Sequence, residues 1–537
     1  MMDVALTTQS MFRHGLDLFG RKQVVSRTAG GEVVRHTFVQ VGERVNRLAS
    51  ALRELGIRQG DRVATFAWNH HRHLEAYFAV PNMGAVLHTV NIRLFPEQLA
   101  YIINHAEDRV LLIDTDLLPL IEAVTPKLTT VKHFVVLAHD VPNSQLPNLQ
   151  SYEQLLASAN PEFAWPELDE KLPAAMCYTS ATTGNPKGVI YTHRSTYLHA
   201  LATGLADGLA LGERDVVLPF VPMFHVNAWG LPYGGFWFGS KLVFPGPRPD
   251  AKAVLDLMQS EKVTLAAGVP TIWIAALPLL EAGGYQLDSV RAVLCGGSAI
   301  PPALMKRYAA MGLPFLHAYG MTETSPLATV ARTSSWMDNW PQERQLAIRT
   351  KQGRPFPGID FRVVNDDGQD VPRDGKSFGQ LLMRGPWVAS EYYRDSRSAE
   401  TFKDGWLHSG DIVTCDEDGY INIVDRAKDV IKSGGEWIST VDLENAIMAI
   451  EGVAEAAVIG VTHPRWQERP LACVVCKPGI NLTKEHILAP LRGQFAKWWI
   501  PNDVVFVEEI PKTSVGKFQK RDLRDRFKDY QLTDKES

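Results

Sequence analysis

The stretch of residues 178–188 reads YTSATTGNPKG. It follows the apolar run PAAMC and precedes the strand-like run VIYTH, so we expect a loop between two strands. Its hydroxyl and backbone N–H groups can donate to phosphate oxygens, its glycines allow close approach, and Lys187 supplies positive charge. The spacing differs from the G-x-x-x-x-G-K-[ST] loop, because only Gly184 precedes the lysine and Gly188 follows it. The pattern predicts a phosphate-binding loop, and an exposed turn of small polar residues is the alternative.

The chain around this loop alternates strand-like and helix-like segments. DRVATFAW (61–68), RVLLID (109–114) and HFVVL (133–137) are short apolar runs with turn or charged residues around them, as is typical of buried strands. FPEQLAYIINHA (95–106) repeats its apolar residues with helical spacing. This alternation predicts an α/β protein with layers of parallel sheet covered by helices.

Two changes in residue composition and in the pattern of strand-like runs predict the domain organisation. From about Lys351, short strands alternate with Gly, Pro and Asp residues, which predicts a small β-barrel-like subdomain. After Asp425, the strand-like runs EAAVIGV, LACVVC and DVVFVEEI and one helix-like run predict a compact α+β domain. We therefore expect a large body of layered βαβ sheets with its barrel-like subdomain over residues 1–425, followed by a small domain over residues 426–537.

Composition excludes several classes of function. The 537 residues carry a formal net charge of −5, which disfavours a dedicated nucleic-acid binder. Five scattered cysteines and the absence of a signal-like N-terminus favour a reducing cytoplasm over a secreted disulfide framework. Two long stretches, Val216–Ser240 and Val263–Leu280, lack charged residues, but prolines interrupt both. We expect these stretches to be buried core segments, with no transmembrane helix.

Further motifs follow the loop along the chain. They are YGMTE (319–323), HSGD (408–411), DRAKD (425–429) and PKTSVGK (511–517). Together with the loop, they resemble in identity and order the motifs of the adenylate-forming superfamily, which includes acyl-CoA synthetases, luciferases and nonribosomal-peptide adenylation domains. The runs VPMFHVNAW (221–229) and SGGEWIS (433–439) look most like medium- and long-chain fatty acyl-CoA synthetases and their methylmercaptopropionate-activating relatives.

The resemblance implies a reaction in two halves. Members of the superfamily join a carboxylate to the α-phosphate of ATP, expel pyrophosphate, and let a nucleophile attack the acyl-adenylate. For this chain it implies a carboxylic acid, ATP, Mg²⁺ and coenzyme A as substrates and cofactors. It also implies that the C-terminal domain swings between the two halves about a hinge near Lys428. A homodimer through the large body is compatible with it.

The resemblance also implies roles for individual residues. Binding of the ATP phosphates is assigned to six residues of the loop: Thr179, Ser180, Thr182, Thr183, Gly184 and Lys187. Glu323 matches the magnesium carboxylate, with Thr182 beside it. Seven residues are assigned to contacts with the adenine base and to the backbone edge along the nucleotide. They are Gly297, Ser298, Ala299, Tyr319, Gly320, Met321 and Thr322. Asp411 and Arg426 match the pair that contacts the ribose.

The remaining assignments concern the moving parts. Lys517 matches the lysine that stabilises charge at the α-phosphate in the first half-reaction. The loop that lines the thiol tunnel in the second half-reaction is assigned to Lys432, Gly434, Gly435, Glu436 and Trp437.

The acid-binding pocket is predicted from the uncharged stretch Val216–Ser240, which carries seven aromatic side chains. As a group they are suited to the wall of an apolar tunnel, although individual rings can equally be core residues. We expect Trp229 to gate the tunnel and His225 to line the pocket or orient the carboxylate. The predicted pocket residues are His225, Val226, Trp229, Gly297 and Pro326.

One departure from the superfamily pattern keeps other functions open. The phosphate loop carries Ala181 where relatives usually have glycine, and a Cβ there can crowd a phosphate. The leading hypothesis is an AMP-forming acyl-CoA ligase for an apolar acid. The second is an adenylating ligase that uses an amine or a carrier-protein thiol instead of coenzyme A. The third, which Ala181 motivates, is a binding protein without catalysis.

Overall fold

The computed structural model describes residues 1–179, 185–427, 429–433, 436–512 and 518–532, apart from the side chains of Lys432, Glu436 and Trp437. The strands of the large body are β1 (Gln23–Arg27), β2 (Val33–Thr37), β3 (Arg62–Phe66), β4 (Val86–Thr89), β5 (Asp108–Ile113), β6 (His133–Val136), β7 (Gln150–Ser151), β8 (Pro173–Tyr178), β9 (Gly188–Thr192), β10 (Val216–Pro219), β11 (Lys241–Phe244), β12 (Leu265–Gly268), β13 (Ala292–Cys295), β14 (Phe315–Gly320), β15 (Leu327–Val330) and β16 (Arg354–Pro355).

Helices alternate with these strands. They are α1 (Thr8–Phe19), α2 (Phe38–Glu54), α3 (His71–Asn82), α4 (Pro96–Ala106), α5 (Leu118–Val124), α6 (Tyr152–Ser158), α7 (His193–Thr203), α8 (Leu231–Trp237), α9 (Ala251–Ser260), α10 (Pro270–Glu281), α11 (Pro302–Ala310) and α12 (Gln342–Thr350). The predicted helix over 95–106 is α4, which starts with proline at its first position and buries Leu99, Ile102, Ile103 and Ala106. The predicted α/β class is confirmed.

Two mixed sheets form the large body. One has the order β16-β15-β14-β13-β12-β10-β11-β1-β2, and the other has the order β7-β6-β5-β3-β4-β8-β9. Strands β10, β12, β13 and β14 run parallel to one another, as do β3, β4 and β8. The carboxyl ends of these parallel neighbours lie at one edge of each sheet, where ligands bind in open α/β folds.

Aromatic packing connects the helices of the two sheets. The ring of Phe236 in α8 stacks on Phe38 of α2 with 4.0 Å between centroids, and on Phe12 of α1 at 5.3 Å. The Tyr233 hydroxyl of α8 donates to the Tyr77 carbonyl oxygen at 3.1 Å. The uncharged stretch 216–240 is thus buried as β10, a short turn and α8. Among the described residues, no helix combines the length and apolar character that a membrane crossing requires.

A third sheet, which is antiparallel, lies in the segment rich in Gly, Pro and Asp that was predicted as a small β subdomain. Its strands are β17 (Asp360–Val364), β18 (Phe378–Arg384), β19 (Phe402–Lys403), β20 (Trp406–Cys415) and β21 (Ile421–Arg426). The helical turn α13 (Ser398–Thr401) precedes β19. The order is β17-β18-β20-β19, and β21 pairs with β20.

The C-terminal α+β unit contains a separate sheet. Its strands are β22 (Ile431–Ser433), β23 (Glu436–Ile438), β24 (Val453–His463), β25 (Gln467–Cys476) and β26 (Asp503–Phe506), and its helices are α14 (Thr440–Met448), α15 (Lys484–Arg492) and α16 (Lys520–Arg526). The order is β23-β22-β25-β24, with β26 on β25. The architecture of large α/β sheets, small antiparallel sheet and small α+β unit agrees with the predicted fold class.

Buried polar contacts join α14 and α16 to the last strand of the antiparallel sheet. The backbone N–H of Thr440 donates to Oδ2 of Asp425 in β21 at 3.1 Å. The Lys520 ammonium lies 2.7 Å from the Glu444 carboxylate and 3.9 Å from that of Asp425. These contacts span the segment between β21 and β22, which is where the hinge is predicted.

Candidate active site

Glycines shape the sheet edge that is predicted to line the nucleotide. Strand β13 ends at Cys295 and continues into Gly296 and Gly297, beside the end of β14. A Cβ at Gly296 would lie 2.4 Å from the Ala318 carbonyl oxygen, so the two strand ends approach more closely than any other residue permits. Gly297 has a φ of +83° and starts a turn that carries Ser298 and Ala299 along the exposed edge.

A tight turn after β14 places the acidic residue of the YGMTE motif. A Cβ at Gly320 would lie 1.7 Å from the Pro326 carbonyl oxygen, so this position also requires glycine. The backbone N–H of Met321 donates to the same oxygen at 3.1 Å. The Tyr191 hydroxyl donates to the Thr322 carbonyl at 2.8 Å, and the turn leaves the Glu323 residue only 4% exposed. The motif therefore positions a carboxylate inside the protein, where it needs donors.

Tyr392 connects this carboxylate to the lysine of the phosphate loop. Its hydroxyl donates to Oε1 of Glu323 at 2.5 Å and accepts from Nζ of Lys187 at 2.9 Å. Burial raises the pKa of Tyr392, and Glu323 raises it further, so the phenol keeps its proton. Burial lowers the pKa of Lys187, which Glu323 partly offsets.

The two ends of the phosphate loop are joined by their backbones. The N–H of Thr179 donates to the carbonyl of Lys187 at 2.9 Å, and the N–H of Lys187 donates to the Thr179 hydroxyl at 3.2 Å. The Arg397 guanidinium donates to the Asn185 carbonyl at 3.1 Å. Residues 180–184 between these ends lie outside the described part of the chain.

The pair predicted to contact the ribose is formed on adjacent strands. Asp411 of β20 is directly opposite Arg426 of β21, and their side chains lie 2.8 Å apart. The Tyr319 hydroxyl donates to the other oxygen of Asp411 at 2.5 Å. Burial raises the pKa of Tyr319 well above its usual value, and Asp411 adds to this shift, while Asp411 also raises the pKa of Arg426. The arrangement brings the predicted adenine and ribose residues together.

The predicted acid pocket contains an uncommon left-handed turn. Four successive non-glycine residues, Val226 to Trp229, have φ between 36° and 57°, and Gly230 follows at 73°. Left-handed backbone costs roughly 1–2 kcal/mol for each non-glycine residue, so surrounding contacts must hold the turn.

The contacts that hold this turn come from neighbouring strands. The Thr89 hydroxyl donates to Oδ1 of Asn227 at 3.0 Å, and the N–H of Val226 donates to Sγ of Cys177 at 3.3 Å. As a result the Trp229 ring reaches the strand end at Gly296, where its Cη2 lies 3.5 Å from the position of a Cβ. His225 is half-buried just before the turn. Trp229 thus lies beside Gly296, which precedes the predicted pocket residue Gly297, and Pro326 packs beside Gly320.

Several predicted residues lie outside the described part of the chain. For Lys432, Glu436 and Trp437 this holds for the side chains, and for the others it holds for the whole residue. Those others are Ser180, Ala181, Thr182, Thr183, Gly184, Lys428, Gly434, Gly435 and Lys517. Their roles stay predictions.

Sequence reasoning missed Tyr392, Thr89 and Cys177. Each is buried. Tyr392 and Cys177 contact predicted site residues, and Thr89 contacts Asn227 between two of them. None belongs to a motif with a phosphate, metal or acid signature. Tyr392 lies in the run EYYRD (391–395), where only its position in space distinguishes it from Tyr393.

Two histidines of the run HHRH (70–73) take separate partners. Nε2 of His70 lies 2.9 Å from Oδ1 of Asp114, and Nε2 of His73 lies 2.8 Å from the Thr65 hydroxyl.

The layered sheets, the strand–loop–strand phosphate motif and the separate C-terminal unit define an adenylate-forming enzyme. The chain belongs to the family of AMP-binding enzymes: the model of that family matches residues 13–393, and the model of the AMP-binding enzyme C-terminal domain matches residues 442–517.

Individual relatives cover nearly the whole chain. It is similar to a long-chain-fatty-acid–CoA ligase of Thermus thermophilus, with 50% identity over 99% of this chain and 97% of the relative. It is 44% identical to a 3-methylmercaptopropionyl-CoA ligase of Ruegeria lacuscaerulensis over 98% of both chains. A crystal structure of an anthranilate CoA ligase in complex with anthranoyl-AMP matches with a TM-score of 0.87 and 27% identity over 98% of both chains.

Proposed function

We propose that this protein is an AMP-forming acyl-CoA ligase for an apolar carboxylic acid. It joins the acid to the α-phosphate of ATP, releases pyrophosphate, and transfers the acyl group to the thiol of coenzyme A. The observation that carries the proposal is the buried Glu323 carboxylate, linked through Tyr392 to the lysine at the end of the phosphate loop. The relatives, which are named as CoA ligases, support the choice of acceptor.

The residues around Glu323 are suited to a metal–triphosphate group. Glu323 presents a hard carboxylate oxygen, which is the ligand Mg²⁺ prefers, and Thr182 is the proposed second ligand. Mg²⁺ supplies positive charge that neutralises the phosphates as pyrophosphate leaves. Lys187 holds the β- and γ-phosphates together with the hydroxyls of Thr179, Ser180 and Thr183 and the backbone of Gly184.

The nucleoside half of ATP is assigned to the sheet edge and to the Asp411–Arg426 pair. Asp411 already accepts from Tyr319 and Arg426, and a carboxylate has lone pairs left for the ribose hydroxyls. The adenine lies between Tyr319 and the backbone of Gly297, Ser298 and Ala299, beside Gly320, Met321 and Thr322.

The acid binds against the left-handed turn. His225 orients the carboxylate, and Val226, Trp229, Gly297 and Pro326 line the wall, with Trp229 limiting the depth of the tunnel. The named acids of the relatives range from long-chain fatty acids to a short thioether acid. Their shared chemistry is an apolar chain, so the proposal is limited to that class.

The two halves of the reaction require two arrangements of the chain. We assign residues 1–425 to the body that holds ATP and acid, and residues 426–537 to a domain that swings about Lys428. Lys517 serves the first half at the α-phosphate. In the second half, Lys432, Gly434, Gly435, Glu436 and Trp437 line the path of the coenzyme A thiol.

The test is carboxylate-dependent chemistry with identified products. Pyrophosphate release is measured with ATP, Mg²⁺ and a series of straight-chain, aromatic and thioether acids, and products formed with coenzyme A or amino acids are identified by mass. We expect release only with apolar acids and a thioester as product. An amide would favour the amine-acceptor ligase instead. Absence of release with every acid would refute catalysis and leave the binding protein that Ala181 motivates.

We further infer a cytoplasmic location and a homodimer through the large body. The cysteines at positions 177, 295, 415 and 473 are buried as free thiols, which is compatible with a reducing compartment. Sedimentation of the purified protein tests the dimer, and fractionation of the source cells tests the location.

A further inference from the structure

Tyr392 stands between the two charged side chains on which the first half-reaction depends. Its oxygen lies 2.5 Å from Oε1 of Glu323 and 2.9 Å from Nζ of Lys187. The Lys187 ammonium also lies 4.0 Å from the centroid of the Tyr392 ring. Tyr392 and Glu323 are 3% and 4% exposed, so this contact is made away from bulk water.

The backbone around Tyr392 is fixed to the strand that leaves the phosphate loop. The N–H of Tyr392 donates to the Ser398 hydroxyl at 2.9 Å, and the N–H of Tyr393 donates to the Gly188 carbonyl at 2.8 Å. The Tyr392 ring packs edge-on against Phe402, with 5.1 Å between centroids. These contacts position the ring without help from the hydroxyl, which is therefore available for a separate task.

A neutral hydroxyl between an ammonium and a carboxylate leaves both charged groups available for ligands, which a direct ion pair does not. If Lys187 and Glu323 paired directly, each would neutralise the other, and both would have to separate before they could hold a phosphate and a metal. The tyrosine oxygen accepts one hydrogen bond from the lysine, and its hydroxyl donates one hydrogen bond to a single carboxylate oxygen. The second carboxylate oxygen and the other ammonium protons stay available for ligands.

We propose that Tyr392 is a positioning residue for the metal–triphosphate site, holding the Glu323 carboxylate in one orientation and keeping Lys187 from pairing with it. This inference rests on the proposed function, because it assigns the magnesium carboxylate to Glu323. Partners that orient a metal ligand typically contribute 10- to 100-fold to metal affinity or activity when they are removed. The hydroxyl of Tyr392 therefore sets how tightly the metal–nucleotide complex binds.

The test variant is Tyr392→Phe in the full-length protein, which removes the hydroxyl and keeps the ring on Phe402. The matched control is Tyr393→Phe, whose ring packs on His105 at 5.5 Å instead. Binding of a non-hydrolysable ATP analogue is measured by calorimetry with and without Mg²⁺, and bound Mn²⁺ is counted by electron paramagnetic resonance. We expect Tyr392→Phe to weaken metal–nucleotide binding roughly 10- to 100-fold, and the metal-free analogue to be affected less.

Kinetics separate this role from a structural one. The Mg²⁺ concentration for half-maximal pyrophosphate release should rise in Tyr392→Phe, and excess Mg²⁺ should restore most of the rate. Thioester formation from acyl-adenylate supplied ready-made should stay within about twofold of the parent, because that step needs no metal–triphosphate group. Equal metal dependence in the parent, Tyr392→Phe and Tyr393→Phe would overturn the proposal.

A double-variant cycle with Glu323→Gln keeps the proposal falsifiable if Tyr392→Phe loses stability. Since Tyr392 is proposed to act through Glu323, the double variant should bind metal–nucleotide about as weakly as Glu323→Gln alone. Independent, additive losses would overturn the proposal. If the parent itself releases no pyrophosphate with any acid, the proposed function fails; an active parent with an additive cycle refutes the role of Tyr392 alone.

Discussion

Replacing Thr89 with valine should change which acids the enzyme prefers, without changing how it binds ATP. Thr89 lies on β4, and its hydroxyl donates to Oδ1 of Asn227 inside the left-handed turn. Valine has nearly the same shape and removes only this donor. Thr65 provides a matched control, because it is directly opposite Thr89 on β3 and its buried hydroxyl contacts His73 at 2.8 Å, away from the turn.

The size of the effect follows from two features of the turn. The left-handed residues Val226 to Trp229 store about 4–8 kcal/mol of backbone strain, so the turn relaxes readily when a contact is lost. Loss of a hydrogen bond to a buried acceptor costs about 1–3 kcal/mol. If the lost hydrogen bond displaces Trp229, this free energy is lost from the contact with the acid. The kcat/KM for the preferred acid should then fall roughly 5- to 150-fold.

Pyrophosphate release with the same panel of acids measures this prediction, together with KM for ATP. Both threonine variants should lose comparable stability in urea unfolding, since each loses one buried hydrogen bond. Thr89→Val alone should reorder the acids, and its KM for ATP should stay within about twofold of the parent. Equal acid profiles in the two variants would show that Thr89 only stabilises the fold, and would refute the link between β4 and the pocket.

Three further predictions concern other parts of the chain. Lys517→Ala should abolish pyrophosphate release, while supplied acyl-adenylate is still converted to thioester; a normal rate of adenylate formation would remove Lys517 from the first half-reaction. Trp229→Ala should shift the preference towards longer or bulkier acids, and an unchanged profile would exclude this ring from the tunnel. Burial, which outweighs the Lys520 ammonium, raises the pKa of Glu444 to about 7. The folded carboxyl therefore holds its proton to higher pH than the unfolded one, and the free energy of unfolding should fall as pH rises from about 5 to 7. Glu444→Gln should flatten that part of the pH profile, and a parent-like slope in this variant would contradict the assignment.

The parts of the site that sequence alone reveals are those made by neighbouring residues. A loop of hydroxyls, glycines and one lysine between two strands needs only local spacing, and the helix at Pro96–Ala106 needs only its apolar period. The Asp411–Arg426 pair was implied by the resemblance of two motifs to the superfamily, and the adjacent strands β20 and β21 bring the two residues opposite each other. The loop and the helix were predictable from local pattern because strand order is not needed to infer them.

Contacts between distant segments could not be read in the same way. Tyr392 meets Lys187 across 205 positions in the chain, and Thr89 meets Asn227 across 138. Such pairs depend on the order of strands in two sheets, which composition and periodicity do not encode. The left-handed turn is also hidden, because three of its four non-glycine residues are types that rarely adopt this backbone and tertiary contacts override their preference.

The aromatic side chains of the stretch 216–240 differ in how they are packed. Phe236 of α8 stacks on Phe38 at 4.0 Å and Tyr233 donates to the Tyr77 carbonyl, so these rings are committed to the contact between the sheets. Trp229 precedes the helix, in the turn, and its ring reaches Gly296 at the end of β13. We therefore propose that Phe236 and Tyr233 are not part of the predicted pocket wall and that the turn is, because a ring locked between helices cannot adapt to an acid. We expect acid length to respond to substitutions in the turn and at Thr89, while substitutions in α8 change stability instead.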